Sequence, residues 1–345
     1  MTDQVPANKP LFPRSSQAAF LVLLLFALCL APMIVSEHTT SILIMMLLYA
    51  YLGSCWNILG GYGGYLSFGN GAFYGIGGYT SSWLFIRLGV TPWLGMIAGG
   101  LLSSLLALFV GFVSFRFRLK GTLFSFITIA FSEICLLVAT NVESLGGSIG
   151  VLLPLKGNHY AIYQSTSKRF FYYVILVMVA MIVSLTRVIE KNKIGLYLLA
   201  IREEERAAEA LGVHANRYKM WAFMLSAFFT ALGGTFYAQY FMYIDPGLMF
   251  GFGTSLEPVL RTIIGGAGTL WGPVIGSVAL ELLSEITRGF LGEIAGLHLA
   301  VYGLLLIISC IYIPEGLAVF AARLSRRLSP MPWRKGLAKL SNPTR

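Results

Sequence analysis

A few ionisable side chains lie inside long apolar runs of this sequence, where an unpaired charge is costly. Glu133 lies within one run, and Glu257 and Arg261 lie four residues apart within another. Side chains with that spacing meet on one face of a helix, so Glu257 is an available ion-pair partner for Arg261. Alternatively, the Arg261 guanidinium attracts a carboxylate of a bound molecule. With Glu281 and Glu285, these residues are too few to indicate an obvious proton relay.

The sequence lacks common motifs of nucleotide binding and metal chemistry. It contains no GxxxxGK[ST] phosphate loop, and the dipeptide Gly-Lys occurs nowhere, so the chain does not bind ATP in the P-loop manner. HExxH and CxxC are absent, and the four cysteines lie in apolar runs without the spacing of a metal site or a disulfide framework. We therefore predict that the chain is not an enzyme and holds no metal or cofactor.

The most charged stretch, residues 188–219, lies between two long apolar runs. Its core at 201–211 is dense in good helix formers, which predicts a short helix. Oppositely charged side chains three residues apart can pair on its surface: Arg202 with Glu205, Glu203 with Arg206, and Arg206 with Glu209. Gly212 follows, the residue expected where a helix ends in a left-handed turn, and a second helix is predicted from about Asn216.

Part of this predicted helix is nearly bare, because Ala207, Ala208 and Ala210 lie on it. A short charged helix with a small-residue face, held between two apolar runs, can be gripped by a second protein. It would then pass force directly into an adjoining run. The alternative is a solvated loop helix without a partner.

The elements that must position these residues are apolar helices. The 345-residue chain is 57% hydrophobic and 12% charged, with a mean hydropathy of +0.75, whereas a soluble domain carries about 25% charged residues. The net charge of +10 comes from cations at the ends of apolar runs, as the positive-inside bias produces, and does not indicate nucleic-acid binding. At roughly 20 apolar residues a span, we predict an all-α polytopic membrane protein of about ten transmembrane helices.

The apolar runs predict crossings at about 18–35, 41–59, 60–86, 93–115, 121–140, 170–186, 220–243, 255–266, 274–287 and 297–313. The first run is interpreted as a retained span, since no small-x-small cleavage site follows it. This order places both termini, the basic 116–120 loop and the 188–219 segment in the cytoplasm. The predicted divisions are an N-terminal tail at 1–17, a membrane domain at 18–317 and a basic tail at 318–345.

Two glycine-rich segments interrupt the predicted helices, one in each half of the chain. Nine of the twenty residues at 60–79 are glycine, and Ser67 and Asn70 add polar side chains there. Gly265 and Gly266 begin the second segment. Paired broken segments point to a transport path between two repeats, although a tightly packed glycine-rich helix face has the same composition. The residues predicted to line this path are Ser67, Asn70, Glu133, Glu257, Arg261, Gly265 and Gly266.

Four segments, in order, resemble the M-type permease subunits of ABC importers for branched-chain amino acids. The segment at 63–73, GGYLSFGNGAF, is similar to the family's G-G-x-L-S-x-G-x-x-A-F. The segment at 200–212, AIREEERAAEALG, is similar to its cytoplasmic coupling loop, A-I-R-E-x-x-x-A-A-E-A-x-G. The segment at 265–273, GGAGTLWGP, is similar to G-G-x-G-T-x-x-G-P, and PEG at 314–316 ends the last span as in the family. The likeness covers roughly residues 47–317.

The resemblance implies a permease subunit that moves a small polar solute inward across a bacterial inner membrane. It implies a second permease subunit, two cytoplasmic ATPase subunits that bind ATP and Mg, and a periplasmic solute-binding protein as partners. The coupling loop would then lie in a groove of an ATPase subunit. The residues carried over to that contact are Arg202, Glu203, Ala207, Ala208, Glu209 and Gly212.

Two residues depart from the family's pattern and leave the solute open. Arg206 stands first in the general importer signature E-A-A-x-x-x-G, and Arg261 stands where the family usually has an apolar residue. The second departure admits urea, short amides, or aromatic and dicarboxylic acids in place of a branched-chain amino acid. Alternatives from other classes are a self-sufficient ion-coupled carrier and a non-transporting membrane scaffold.

Overall fold

The structure, a computed structural model, describes residues 28–119, 121–155, 157 and 163–291 and a few positions between 301 and 318. Nearly all regular structure in this part of the chain is α-helical. Apolar runs of this length favour helices because, inside a bilayer, each backbone group must be satisfied within the protein.

The helices are α1 (Glu37–Asn57), α2 (Asn70–Leu88), α3 (Pro92–Arg116), α4 (Thr122–Asn141), α5 (Lys168–Lys191), α6 (Lys193–Glu203), α7 (Glu205–Ala210), α8 (Ala215–Phe241), α9 (Pro246–Phe250), α10 (Phe252–Gly266) and α11 (Gly272–Leu291). A π-turn (Ile58–Tyr62) continues α1, and residues 28–34 are helical as well. Two short strands, β1 (Val151–Leu152) and β2 (Tyr243–Ile244), pair antiparallel with Val151 opposite Ile244.

Among the described residues, five helices are long and apolar enough to cross a membrane: α1 with its π-turn, α3, α4, α5 and α8. They confirm the predicted crossings at 41–59, 93–115, 121–140, 170–186 and 220–243 as helices. The runs at 60–86, 255–266 and 274–287 correspond to α2, α10 and α11. The run at 297–313 and most of the run at 18–35 lie outside the described residues. The chain is therefore a multi-pass helical membrane protein.

The centre of the bundle is formed by α1, α2 and α8. α8 packs along α2 and α3, and α1 packs against α5, α10 and α11. Gly77 and Gly234 let α2 and α8 approach closely, since a Cβ atom at either position would overlap the backbone of the other helix. The buried share is 78% for the α1 span but only 28% for the α4 span. One side of α4 is therefore left to face lipid or another chain.

The stretch at 201–211 does not form one continuous helix, because Glu204 interrupts it. The backbone of Glu204 is extended, with φ −154° and ψ 103°, and separates α6 from α7. Its side chain accepts a hydrogen bond from the Arg206 amide at 3.4 Å, so Glu204 is the N-cap of α7. The predictions that Arg202 pairs with Glu205 and that Glu203 pairs with Arg206 on the surface of one helix are wrong, since each pair is divided between α6 and α7.

The first glycine-rich segment separates two helices and does not bend a single span. Gly60 and Gly61 belong to the π-turn that ends α1, whereas α2 begins only at Asn70. The link at 63–69 between them has no regular structure. After β2, Asp245 caps the first turn of α9 by accepting a hydrogen bond from the Leu248 amide at 3.1 Å.

Candidate coupling and translocation site

α7 is a short helix whose C-terminal end is closed by hydrogen bonds. The Gly212 amide donates to the Glu209 carbonyl at 2.9 Å. The Val213 amide donates to the Ala208 carbonyl at 3.1 Å. Gly212 has a φ of 87°, which confirms the predicted left-handed turn. This closure directs the chain at once into α8.

One side of α7 is exposed and partly apolar. Ala207 and Ala210 are exposed, and Leu211 is 86% exposed, while Glu203 at the end of α6 is exposed beside them. Ala208 is instead 3% exposed, so the small residues are divided between two sides of the helix. An exposed leucine beside two alanines offers a shallow apolar surface to a second protein. The contacts of these residues with an ATPase stay a prediction.

Glu209 lies at the edge of this surface. It lines a cleft together with Glu205, Arg206 and Arg118, the last from the loop between α3 and α4. α7 therefore lies over the end of the bundle at which α3 ends and α4 begins.

The inner side of α7 carries a buried ion pair. Glu205 Oε1 accepts a hydrogen bond from Lys219 Nζ at 2.8 Å, and Glu205 Oε2 accepts one from the Tyr65 hydroxyl at 2.9 Å. Lys219 is 1% exposed, and its Nζ lies 5.1 Å and 5.0 Å from the ring centroids of Tyr65 and Phe115. Burial and the hydrogen bond to Glu205 raise the pKa of the Tyr65 hydroxyl, which keeps it protonated as a donor.

Arg202, near the end of α6, lies against both glycine-rich segments. Its Nη1 donates to the Gly61 carbonyl at 2.6 Å. A Cβ atom at Gly64 or Gly268 would overlap the Arg202 side chain, and these glycines have φ values of 74° and 79°. Both glycines therefore make room for the arginine. The predicted contact between Arg202 and an ATPase stays a prediction.

Asn57 joins the two glycine-rich segments directly. Its Oδ1 accepts a hydrogen bond from the Gly268 amide at 2.8 Å, and its Nδ2 donates to the Thr269 carbonyl at 2.9 Å. Gly61, which Arg202 contacts, belongs to the π-turn that follows Asn57. The two segments that the sequence relates by composition alone are thus in contact, at the same end of the bundle as α7.

Ser67 and Asn70 lie in the interior, with 2% and 4% of their surfaces exposed. The Ser67 carbonyl accepts a hydrogen bond from Trp56 Nε1 at 2.7 Å. Next to Asn70, the Gly71 amide donates to Ser255 Oγ at 2.8 Å, which ties the start of α2 to α10. Within the described part of the chain Asn70 Nδ2 has no hydrogen-bond partner, so this amide is available to water or to a polar solute.

Arg261 is paired within the chain. Its Nη1 donates to Glu281 at 2.8 Å and its Nη2 to Glu257 at 3.3 Å. The guanidinium carbon lies 3.8 Å from the ring centroid of Tyr49. The predicted ion pair with Glu257 is confirmed, but Glu281 is the closer partner. This cluster joins α1, α10 and α11, and 5% of the Arg261 side chain is exposed.

Gly265 and Gly266 lie where α10 ends and α11 approaches. A Cβ atom at Gly265 would overlap the backbone of Gly272, and one at Gly316 would overlap that of Gly266. The two glycines therefore permit close packing between chain segments. Their predicted place along a path stays a prediction.

Glu133 is exposed near the middle of α4. Around it lie Ile134, Leu137 and Val138, which are 58%, 61% and 52% exposed. A carboxylate at such a depth usually faces a water-filled cavity or a protein partner rather than lipid.

Comparison with known proteins decides the family. A family profile described as "Branched-chain amino acid transport system / permease component" matches residues 11–310. The chain belongs to this permease family. This finding confirms the resemblance that the four motifs indicate.

Several curated proteins resemble this permease. The high-affinity branched-chain amino acid transport system permease proteins LivM of Salmonella typhimurium and Escherichia coli are each 29% identical to it over 324 residues, or 87% of this chain and 75% of the relative. LivH of Salmonella typhimurium is 26% identical over 260 residues, or 70% of this chain and 82% of the relative. No solved structure matches the chain.

The sequence alone does not single out Lys219, Tyr65 or Asn57. In the structure of this permease, Lys219 and Tyr65 bind Glu205 beneath α7, and Asn57 binds the second glycine-rich segment. A weak signal exists, because Lys219 opens an otherwise apolar span and Asn57 closes one. Their partners lie far along the chain, 14 residues away for Lys219 and Glu205 and 211 residues away for Asn57 and Gly268. Helical periodicity carries no information at such separations.

One catalytic spacing also occurs in the chain. Residues 146–150, GGSIG, fit the GxSxG spacing of a serine-hydrolase nucleophile. Ser148 lies in a 3-10 turn (Gly147–Ile149), however, and not in the strand-to-helix turn that exposes such a nucleophile. The match is therefore one of spacing only.

Proposed function

We propose that this permease is the membrane-spanning subunit of an ATP-driven ABC importer that moves a branched-chain amino acid, or a similar small solute, into the cell. The observation that carries the proposal is the continuous set of contacts from α6 and α7 to both glycine-rich segments. Glu205 reaches Lys219 and Tyr65. Arg202 reaches Gly61. A surface helix connected in this way transmits a push into the interior of the bundle.

The energy must then come from other chains. The sequence has no P-loop, so we assign ATP and Mg to two cytoplasmic ATPase subunits. The exposed side of α7, with Ala207 and Leu211, is the surface we assign to the ATPase. We place the chain in a bacterial inner membrane with about ten crossings and both termini inside, in line with the basic segments at the α7 end.

A second permease subunit and a periplasmic solute-binding protein complete the proposed importer. Similarity to both LivM and LivH supports a heterodimer of two related permeases. The largely exposed α4, with Glu133 in its middle, is the face we assign to the second permease and to the path between them. Asn70 supplies a buried amide group to that path.

The environment of Arg261 supports a neutral amino acid as solute rather than a dicarboxylic acid. Both Glu257 and Glu281 already bind the guanidinium, and only 5% of its side chain is exposed. A site that binds an anionic solute needs a cationic side chain that is available to it. We therefore interpret Arg261 as a structural residue.

Transport assays in proteoliposomes test this function. The permease, its second permease and the ATPase subunits are reconstituted with the binding protein outside, and uptake of radiolabelled leucine is measured. We expect uptake to require internal ATP and to continue when an ionophore collapses the proton gradient. Uptake without any ATPase subunit would identify an ion-coupled carrier, and no uptake with no effect on ATP hydrolysis would identify a scaffold.

Labelling tests the orientation of α7. Leu211→Cys places a thiol at an 86% exposed position. We expect a membrane-impermeant maleimide to label it in inside-out vesicles but not in intact cells. The matched control is Ile149→Cys, at an 83% exposed position that the predicted topology puts outside. The reverse labelling pattern would remove α7 from the reach of an ATPase.

A further inference from the structure

Three side chains from three segments meet beneath α7, and none of them stands at a position that the family motifs specify. Glu205 comes from α7, Lys219 from the first turns of α8 and Tyr65 from the link at 63–69. Glu205 Oε1 and Lys219 Nζ are 2.8 Å apart. The Tyr65 hydroxyl lies 2.9 Å from Glu205 Oε2 and 3.2 Å from Lys219 Nζ, so each member contacts both others.

This cluster is buried although it lies beside a surface helix. The side chains of Lys219 and Glu205 are 1% and 8% exposed. Removing two charges from water consumes much of the energy that their attraction supplies, so an apolar pair of similar size is often at least as stable. A buried ion pair is thus better suited to setting one geometry than to adding stability.

The cluster also has an onward connection to α4. The link that carries Tyr65 is bound to α4 at two points. Ser125 Oγ donates to the Leu66 carbonyl at 2.7 Å. The Phe68 amide donates to Thr128 Oγ1 at 3.1 Å. These hydrogen bonds connect Glu205, through Tyr65 and the link, to the helix that bears Glu133.

We propose that Glu205 and Lys219 are positioning residues that, with Tyr65, set the orientation of α7 and make its movement drive α8 and α4. The inference rests on the proposed function as an ATP-driven permease. The three residues form a coupling latch: they touch neither ATP nor solute, and they determine how much solute moves for each ATP hydrolysed.

The test measures leucine uptake and ATP hydrolysis in the same reconstituted complex, for the wild type, Lys219→Met, Glu205→Gln and the double variant Glu205→Gln/Lys219→Met. We expect the uptake per ATP hydrolysed to fall roughly tenfold in each variant, as pairwise couplings of this kind allow. The double variant removes both charges of the pair together, so it is expected to assemble with the ATPase at the wild-type yield. The charge-swapped pair Glu205→Lys/Lys219→Glu is expected to recover much of the ratio.

Arg217→Met is the matched control, because Arg217 is an exposed cation two residues before Lys219 on the same helix. Its ratio is expected to stay at the wild-type value. The inference is overturned if the double variant keeps the wild-type ratio, or if it fails to assemble, which would mark the cluster as structural only. A wild-type complex without ATP-dependent uptake would instead contradict the proposed function.

Discussion

Lys219 and Arg261 are both buried cations, but they join different kinds of elements. Lys219 pairs with the Glu205 carboxylate and connects α7, a surface helix, to α8. Arg261 pairs with the carboxylates of Glu257 and Glu281 and connects α10 to α11, which pack closely through glycines. Burial of a cation therefore does not define its role. A cation between two closely packed helices stabilises them, whereas one between a surface helix and a span can transmit movement.

The largest expected effect is that of Arg261→Met. This substitution should show that the Arg261 ion pairs stabilise the fold, in contrast to the Lys219 ion pair. The substitution leaves two carboxylates without their cation, and we expect a loss of about 3–5 kcal/mol in the free energy of unfolding. Thermal unfolding of the purified permease in detergent measures it. The uptake per ATP hydrolysed should be unchanged in the protein that assembles.

Arg288→Met is the control for that measurement. Arg288 is 64% exposed and lies 3.7 Å from Glu285, so its loss should cost about 0–1 kcal/mol. If the Arg261 variant keeps the wild-type free energy of unfolding but selectively loses uptake of acidic solutes, Arg261 binds the solute instead.

Gly212→Pro should disrupt the C-terminal end of α7, the helix that we assign to coupling. Proline cannot adopt a φ of 87° and cannot donate to the Glu209 carbonyl, so we expect a local loss of about 3 kcal/mol. Co-purification of the ATPase should fall sharply. Gly89→Pro, at the left-handed end of α2, damages a helix end in a similar way and should leave co-purification intact. Equal loss in both variants would argue against a specific role of α7.

Single carboxamide substitutions should rank the two partners of Arg261. Glu281→Gln removes a 2.8 Å ion pair of a largely buried side chain, and we expect a loss of about 1.5–3 kcal/mol. Glu257→Gln removes a 3.3 Å pair of a side chain that is 45% exposed, and about 0–1 kcal/mol is expected. Chemical denaturation of both variants measures the difference. The opposite ranking would mean that Glu257 is covered in the assembled permease.

The smallest effect on stability is expected for Glu133→Gln, because the residue is exposed and the substitution is isosteric. The free energy of unfolding should change by less than about 0.5 kcal/mol. Leucine uptake should nevertheless fall if the carboxylate faces the path. Glu143→Gln, an exposed acid in the loop after α4, is the control and should leave uptake unchanged. Equal uptake in the two variants would place Glu133 outside the path.

Much of the fold follows from the sequence, because apolar runs report spans directly. Predicted and observed helix bounds differ by a few residues for α1, α3, α4, α5 and α8. The ion pair of Arg261 with Glu257 is also predictable, since a separation of four residues is local on a helix. The break at Glu204 is not, because glutamate is a good helix former and only its capping of α7 overrides that preference.

The sequence by itself determined that this chain spans a membrane many times, that it has no ATP-binding loop and that it carries a glycine-terminated charged helix between two spans. These features depend on composition and on neighbours within a few residues. The fold as a whole is needed to show that Glu205 turns inward to Lys219 and Tyr65, and that Asn57 and Arg202 bring the two glycine-rich segments together. Those contacts join residues between 14 and 212 positions apart, and the packing of whole helices selects them.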